Sequence, residues 1–166
     1  MKIGLVSDTH GHAARLRLAL ALLAQQGAEA VVHCGDLDSV ECLELLGQFQ
    51  WTAHAVAGNV DRHLSPRLAD AARSAAVHFS PRTVEVEYQP GRYLVATHGH
   101  DRDLLAELIA GGQFAYVCHG HTHEQRDQRL GGVRVINPGA LYRAAQHTVA
   151  LLDTDPDTVT FIPIGD

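Results

Sequence analysis

Short apolar runs that end in polar, ligand-bearing loops recur along the chain. Lys2 to Ser7 predicts a buried first strand, and Ala13 to Gln26 places Leu16, Leu20 and Leu23 at helical spacing on one face. Gly27 stops that helix. Glu29 to His33 predicts a second strand. Asp38 with Glu41 forms a capping-box-like start to a helix whose Cys42, Leu46 and Phe49 share a face. Thr52 to Ala57 predicts a third strand, so strand and helix alternate in the manner of a parallel sheet covered by helices.

Past Asp61 the pattern changes. A polar, Ala-rich stretch leads to Thr83–Tyr88, where Val84, Val86 and Tyr88 alternate with Thr83, Glu85 and Glu87, the signature of a half-exposed strand. Pro90-Gly91 turns the chain into Arg92–Thr97, completing a hairpin. A helix over Asp103–Ala110 and a buried strand over Ala115–Cys118 follow. Val133–Ile136, Thr148–Asp153 and Thr158–Ile164 read as strands, with Asp155-Pro156-Asp157 as the last turn. Two kinds of strand, parallel-type and alternating, are buried together most simply in a two-sheet sandwich with helices outside. The expectation is one domain over residues 1–166, of a size that carries a real core.

Composition narrows the function. The formal charge of −6 and the scattering of twelve Arg and one Lys leave no basic run to track a nucleic-acid backbone. Aromatic residues at 5% do not build a base-stacking platform. Cys34, Cys42 and Cys118 have no CxxC spacing, and no run approaches transmembrane length, so a reduced, cytoplasmic protein with no membrane partner is expected. The outlier is twelve His. His10 and His12, His98 and His100, and His119, His121 and His123 form clusters, whereas His33, His54, His63, His78 and His147 stand alone and need no ligand role.

Asp8 and His10, Asp36, Asn59, His98, and His121 with His123 each follow a short apolar run. Strand ends on one edge of a sheet converge in space, so two Asp, four His and one Asn suffice for two metal ions sharing a bridge. Alternating His121 and His123 in an extended segment point to the same side, and His119 to the other. Mixed imidazole and carboxylate donors suit Mn, Fe, Co, Ni or Zn rather than Ca or Mg.

In order along the chain these residues sit in SDTH (Ser7–His10), GD (Gly35–Asp36), GNVD (Gly58–Asp61), THGH (Thr97–His100) and GHTH (Gly120–His123), with Asn137-Pro138-Gly139 as a late turn. The set resembles the calcineurin-like metallophosphoesterases, and in size and motif style their small bacterial and archaeal phosphodiesterase branch. That resemblance implies an α/β fold: a four-layer αββα sandwich, two mixed β-sheets flanked by helices, with a dinuclear metal site at the strand C-terminal ends. It also implies that Asp8, His10 and His123 hold one divalent transition-metal ion, that Asn59, His98 and His121 hold the other, and that Asp36 bridges them. Manganese is the first choice, with nickel, iron, cobalt or zinc as alternatives. The activity implied is hydrolysis of a small phosphodiester by in-line attack of a hydroxide bridging ions roughly 3.5 to 4 Å apart. The alternatives are a phosphomonoesterase, or a metal-binding interaction module on the same fold, as the retromer subunit of the superfamily looks to be. A homo-oligomer is also compatible with the resemblance.

Many family phosphatases carry His directly after the Asn of the third block, where it protonates the leaving group, and here that position is Val60. His100 is the first substitute and Asp61 the second, with His100 as a mere hydrogen-bond partner of the site the competing reading. Asn59 can ligate through oxygen while donating to phosphate through nitrogen. His12 either touches substrate or caps the first helix, and Ala140 stands where the family commonly has Ser.

Overall fold

The computed structural model describes residues 1–165. In chain order its first half comprises β1 (Lys2–Val6), α1 (Ala13–Gln25), β2 (Ala30–His33), α2 (Val40–Leu46), β3 (Thr52–Val56), α3 (Ser65–Ser74) and β4 (Val77–Ser80). The hairpin β5 (Val84–Gln89) and β6 (Arg92–Ala96) follows, then α4 (Arg102–Gly111), β7 (Tyr116–Cys118), β8 (Gln125–Leu130), β9 (Val133–Pro138), β10 (Thr148–Asp153) and β11 (Thr158–Pro163). Six strands form one sheet in the order β11-β10-β1-β2-β3-β4, and five form the other in the order β5-β6-β7-β9-β8. Both sheets are mixed: β1 to β4 run parallel with β10 antiparallel to β1, and β6, β7 and β9 run parallel with antiparallel edges β5 and β8.

The layering follows from side-chain alternation. On β2, Val31 packs among helix residues Leu16, Leu20, Leu43 and Leu68, while Ala30 and Val32 face the second sheet. On β5, Val84, Val86 and Tyr88 are buried between the sheets and Glu85 and Glu87 are exposed, as their alternation predicts. On the far side of the second sheet, Val95, Val117, Val133 and Val135 are covered by Leu105, Leu108 and Ile109 of α4. The order is therefore helices, sheet, sheet, helix.

Three elements are only weakly marked by large apolar residues. Helix α3 buries only Leu68, Ala71 and Ala72. Strands β4 and β8 are sheet edges, and β8 presents Gln125, Asp127, Gln128 and Arg129 to solvent, so neither shows the hydrophobic alternation of an interior strand. Two local expectations are corrected. The cap of α2 is Ser39, whose Oγ accepts from Cys42 N at 3.1 Å, because Asp38 takes a left-handed backbone with φ +56° and turns away. That helix ends at Leu46, so Phe49 lies beyond its apolar face and stacks on Trp51 instead.

Candidate metal centre

The parallel strands of both sheets end at one edge, and backbone bonds sew the loops after them together. Asp8 N donates to Gly35 O and His10 N to Asp36 O, each at 3.0 Å, joining the first two loops of one sheet. Gly120 N donates to His98 O at 3.0 Å, joining two loops of the other. Leu141 N reaches Ser7 O and His98 Nδ1 donates to Cys34 O at 2.8 Å, and these bonds cross between the sheets. Two glycines permit the approach: a Cβ on Gly58 would fall 1.9 Å from Asp36 Oδ1, and one on Gly120 would fall 1.8 Å from Ser7 Oγ.

Asp8, His10, Asp36, His121 and His123 all adopt left-handed backbone, with φ between 46° and 70°. Non-glycine residues occupy that region rarely and at a cost, and here neighbouring loop bonds hold them in it. The expectation that His121 and His123 share a side through strand alternation is corrected on the same ground: β7 stops at Cys118, and left-handed turns rather than an extended segment present both rings to the site.

Side-chain bonds then select which atoms face the centre. Asp8 is fully buried; its Oδ2 accepts from Ser7 Oγ at 2.5 Å and from His121 N at 3.0 Å, leaving Oδ1 3.2 Å from His123 Nε2. Asp36 Oδ1 accepts from Val60 N, and its Oδ2 lies 3.5 Å from His10 Nε2 and 3.3 Å from His98 Nε2. His98 Nε2 is also 3.1 Å from Asn59 Oδ1, and the His121 ring stands edge-on to His98 with centroids 5.1 Å apart. Because Nδ1 of His98 serves Cys34 O, its Nε2 is the atom turned to the carboxylates.

The donor set fits metal. Asp8 Oδ1 and His10 Nε2 are buried with no hydrogen-bond partner, a costly state for polar atoms unless a cation takes them. Ligand atoms of Asp8, His10 and His123 lie within 4.8 Å of one another, as do those of Asp8, Asp36 and His98. The first group coincides with one ligand set implied by the sequence. The second shares Asp8 with the first and does not include His121, and its Asp36 Oδ2 also approaches His10 Nε2 of the first group, at 3.5 Å.

Charge coupling in the metal-free chain follows this packing. Burial opposes the charged forms of both Asp36 and His98, yet their mutual attraction outweighs it, holding the Asp36 carboxyl below and the His98 imidazole above their usual ranges. Burial, then the charge of nearby His98, lowers His100 and His121.

The remaining sequence candidates separate. His100 is exposed, with its ring 5.4 Å from that of His98. Asp61 does not face the site at all: it is fully buried, its Oδ2 accepting from Leu37 N and Gly58 N and its Oδ1 from Asp38 N at 2.7 Å. It buckles the second loop to the third, so it is removed as a leaving-group acid. His12 holds the N-cap position of α1 without a capping bond, and its ring stacks on Tyr142. His119 is buried beside Asn137, whose amide donates to Gly120 O and Thr122 Oγ1 and so props the last His loop.

His33, read from the sequence as a lone residue without a ligand role, has a structural one. It is completely buried at the end of β2, accepts from Gly35 N through Nδ1 and bonds Thr9 Oγ1 through Nε2 at 2.7 Å, pinning the first loop to the second. Burial, then His98, pushes its pKa down to about 3. Asp38, Tyr142 and Arg143 at the rim of the centre were equally without a signal, since none belongs to a spaced motif.

A cavity of about 490 Å³ opens over the centre, with His10, Asp36, Asn59, His121 and His123 on its floor. Asp8 and His98 lie behind them, shut off from solvent. Among the described residues no helix is long and apolar enough to cross a membrane.

Comparison with known proteins identifies the family. Residues 1–157 match the calcineurin-like phosphoesterase superfamily domain. A phosphodiesterase of Methanocaldococcus jannaschii is 32% identical over 160 residues, covering 93% of this chain and 94% of its own. The structure of an archaeal phosphodiesterase superposes with a TM-score of 0.89 at 30% identity, covering 99% of this chain and 100% of that one. The Vps29 protein of Entamoeba histolytica complexed with zinc shares the fold, with a TM-score of 0.64 at 17% identity over 99% of this chain and 98% of its own. The chain belongs to the calcineurin-like phosphoesterase superfamily.

Proposed function

We propose that the protein is a phosphodiesterase that binds two divalent transition-metal ions, manganese first, and hydrolyses a small phosphodiester. The observation that carries this reading is the pair of orphaned buried atoms, Asp8 Oδ1 and His10 Nε2, facing the same small space as Asp36 and His123. The relative at 32% identity, itself a phosphodiesterase, favours the diester over the monoester.

Asp8, His10 and His123 would hold one ion and Asn59, His98 and His121 the other, with Asp36 shared by both. Ions so held supply Lewis acidity toward phosphoryl oxygens and acidify coordinated water. The protein's own part is to fix donors before substrate arrives. Ser7 and the His121 N–H orient Asp8, Val60 N–H orients Asp36, and Cys34 O sets the His98 tautomer. Asn59, exposed on the cavity floor, can donate through its amide nitrogen to a phosphoryl oxygen. With Val60 unable to carry a proton and Asp61 consumed by backbone bonds, His100 is the remaining group to protonate the leaving oxygen.

The test is hydrolysis of a bis-aryl phosphodiester beside the matching aryl phosphomonoester, using stripped protein refilled separately with Mn, Ni, Zn and Mg. Diester turnover restored by a transition metal and lost in Asp36→Ala and His121→Ala is the expected result. Stoichiometric metal uptake without turnover would replace the enzyme reading with a metal-binding interaction module.

A further inference from the structure

A second cavity, of about 470 Å³, adjoins the first, and Asn59 is the residue that lines both. Its walls are unlike those of the first. Arg62, from a one-turn helix at Val60–His63, Ser65 at the start of α3, and His100 line it. On the wall of the first cavity the Tyr142 ring stacks on His12 with centroids 4.9 Å apart and planes 26° from parallel, and lies 5.0 Å from His10. The Arg143 guanidinium sits 5.0 Å from the Tyr142 ring centre. Arg143 O faces Nδ1 of His123 at 3.4 Å, so this wall is tied directly to a proposed ligand. Each cavity is large enough for one small organic group. Each also brings one arginine to the centre of a chain whose formal charge is −6.

Resting on the phosphodiesterase reading, we infer that the two cavities hold the two arms of the diester: the leaving arm beside Arg62, Ser65 and His100, and the retained arm, a planar group, against the edge of the Tyr142 ring beside Arg143. The chemistry requires such a division. In-line displacement opposes the entering and leaving oxygens, so the ester oxygen that stays on phosphorus must point elsewhere. His100 belongs to the second cavity alone, which places the departing oxygen there. In this displacement water oxygen bonds to phosphorus, the bond from phosphorus to the leaving oxygen breaks with its electron pair, and that oxygen takes a proton. The product is the phosphomonoester of the retained arm. A monoester substrate has a leaving arm only, and uses the second cavity without the first.

Three substrates with the same leaving group separate the arms: bis(para-nitrophenyl) phosphate, methyl para-nitrophenyl phosphate and para-nitrophenyl phosphate. In wild type, kcat/KM per leaving group should favour the aryl over the methyl diester by about 5- to 10-fold, the value of one edge-to-face aromatic contact. Tyr142→Ala should bring that preference to about twofold or less, and Tyr142→Phe should restore it. Arg62→Ala should lower all three substrates together, by about 10-fold, leaving the aryl preference in place. A preference that survives Tyr142→Ala, or that Arg62→Ala removes, overturns the assignment. Calorimetric binding of diphenyl against dimethyl phosphate to the metal-loaded protein reads the same contrast without turnover. If no metal supports hydrolysis of any substrate, the phosphodiesterase reading fails, and the Tyr142-dependent binding contrast still decides the aromatic subsite.

Discussion

Ser7 Oγ donates to Asp8 Oδ2 at 2.5 Å inside a fully buried pair, and that bond decides which oxygen of Asp8 is left for the centre. With Oδ2 held by Ser7 and by His121 N, Oδ1 has no protein donor and faces His123. Removing a partner that orients a ligand typically weakens metal binding by about 10- to 100-fold. Ser7→Ala should therefore weaken binding in that range as measured by competition with a chromogenic chelator, while Ser7→Thr, which keeps the hydroxyl, should recover most of it. Equal affinity in Ser7→Ala and wild type would show that Asp8 needs no such orientation.

Asp61 separates a structural from a catalytic carboxylate. Its two oxygens take three backbone N–H groups from two loops. Asp61→Asn replaces one accepting oxygen by a donor that meets those N–H groups head-on, at a cost of about 2 kcal/mol or more. The expected outcome is a lower urea midpoint at an unchanged m value, with no change in the dependence of rate on leaving-group pKa. A steeper leaving-group dependence in Asp61→Asn would return this residue to the acid's role.

The same residue shows what a sequence can and cannot express. GNVD announces an Asn and an Asp near a strand end, and nothing in it says that Asn59 faces the cavity while Asp61 faces the backbone; the one-turn helix between them makes that difference. Asp8, His10, Asp36, Asn59, His98, His121 and His123 are legible because their residue types are rare together at strand ends, and the β strands that carry them because both faces are apolar. Left-handed backbone at five of these positions, named above, is illegible: local preference argues against it, and long-range loop bonds impose it. Arg62 and Tyr142 are silent for a simpler reason. They come to the centre from a one-turn helix and a late loop, with no repeat or spacing to mark them.

Acid should destabilise the fold through His54. This ring lies on β3, stacks on His78 of β4 with centroids 4.8 Å apart, and has a buried Nδ1 without a partner. Burial, then the neighbouring His78, pushes its pKa down to about 4. A lowered histidine pKa means that the unfolded chain takes up a proton the folded chain refuses, so stability is complete above pH 6.5 and falls as pH drops toward 4. The slope for one such group approaches about 1.4 kcal/mol per pH unit. Urea unfolding of wild type and His54→Gln at pH 7 and pH 5 should show a difference that shrinks by up to about 2 kcal/mol at the lower pH. A constant difference would mean that His54 takes up its proton equally in the folded and unfolded chains.

Gly58 tests whether loop closeness sets the metal centre. A Cβ there would meet not only Asp36 Oδ1 at 1.9 Å but also the Asp36 backbone nitrogen at 2.4 Å, so rotating the carboxylate does not relieve the clash and the second loop itself must move. Asp36 Oδ2 is the atom nearest both His10 and His98, and displacing it separates the two halves of the site. Overpacking of this kind costs about 1–3 kcal/mol in stability. Gly58→Ala should also retain less metal after desalting than wild type. Gly111→Ala, where a Cβ meets nothing within 4 Å, is the control and should keep both full stability and full metal content. Elemental analysis of the two variants side by side decides the matter: equal metal in both would show that the third loop does not hold Asp36 in place.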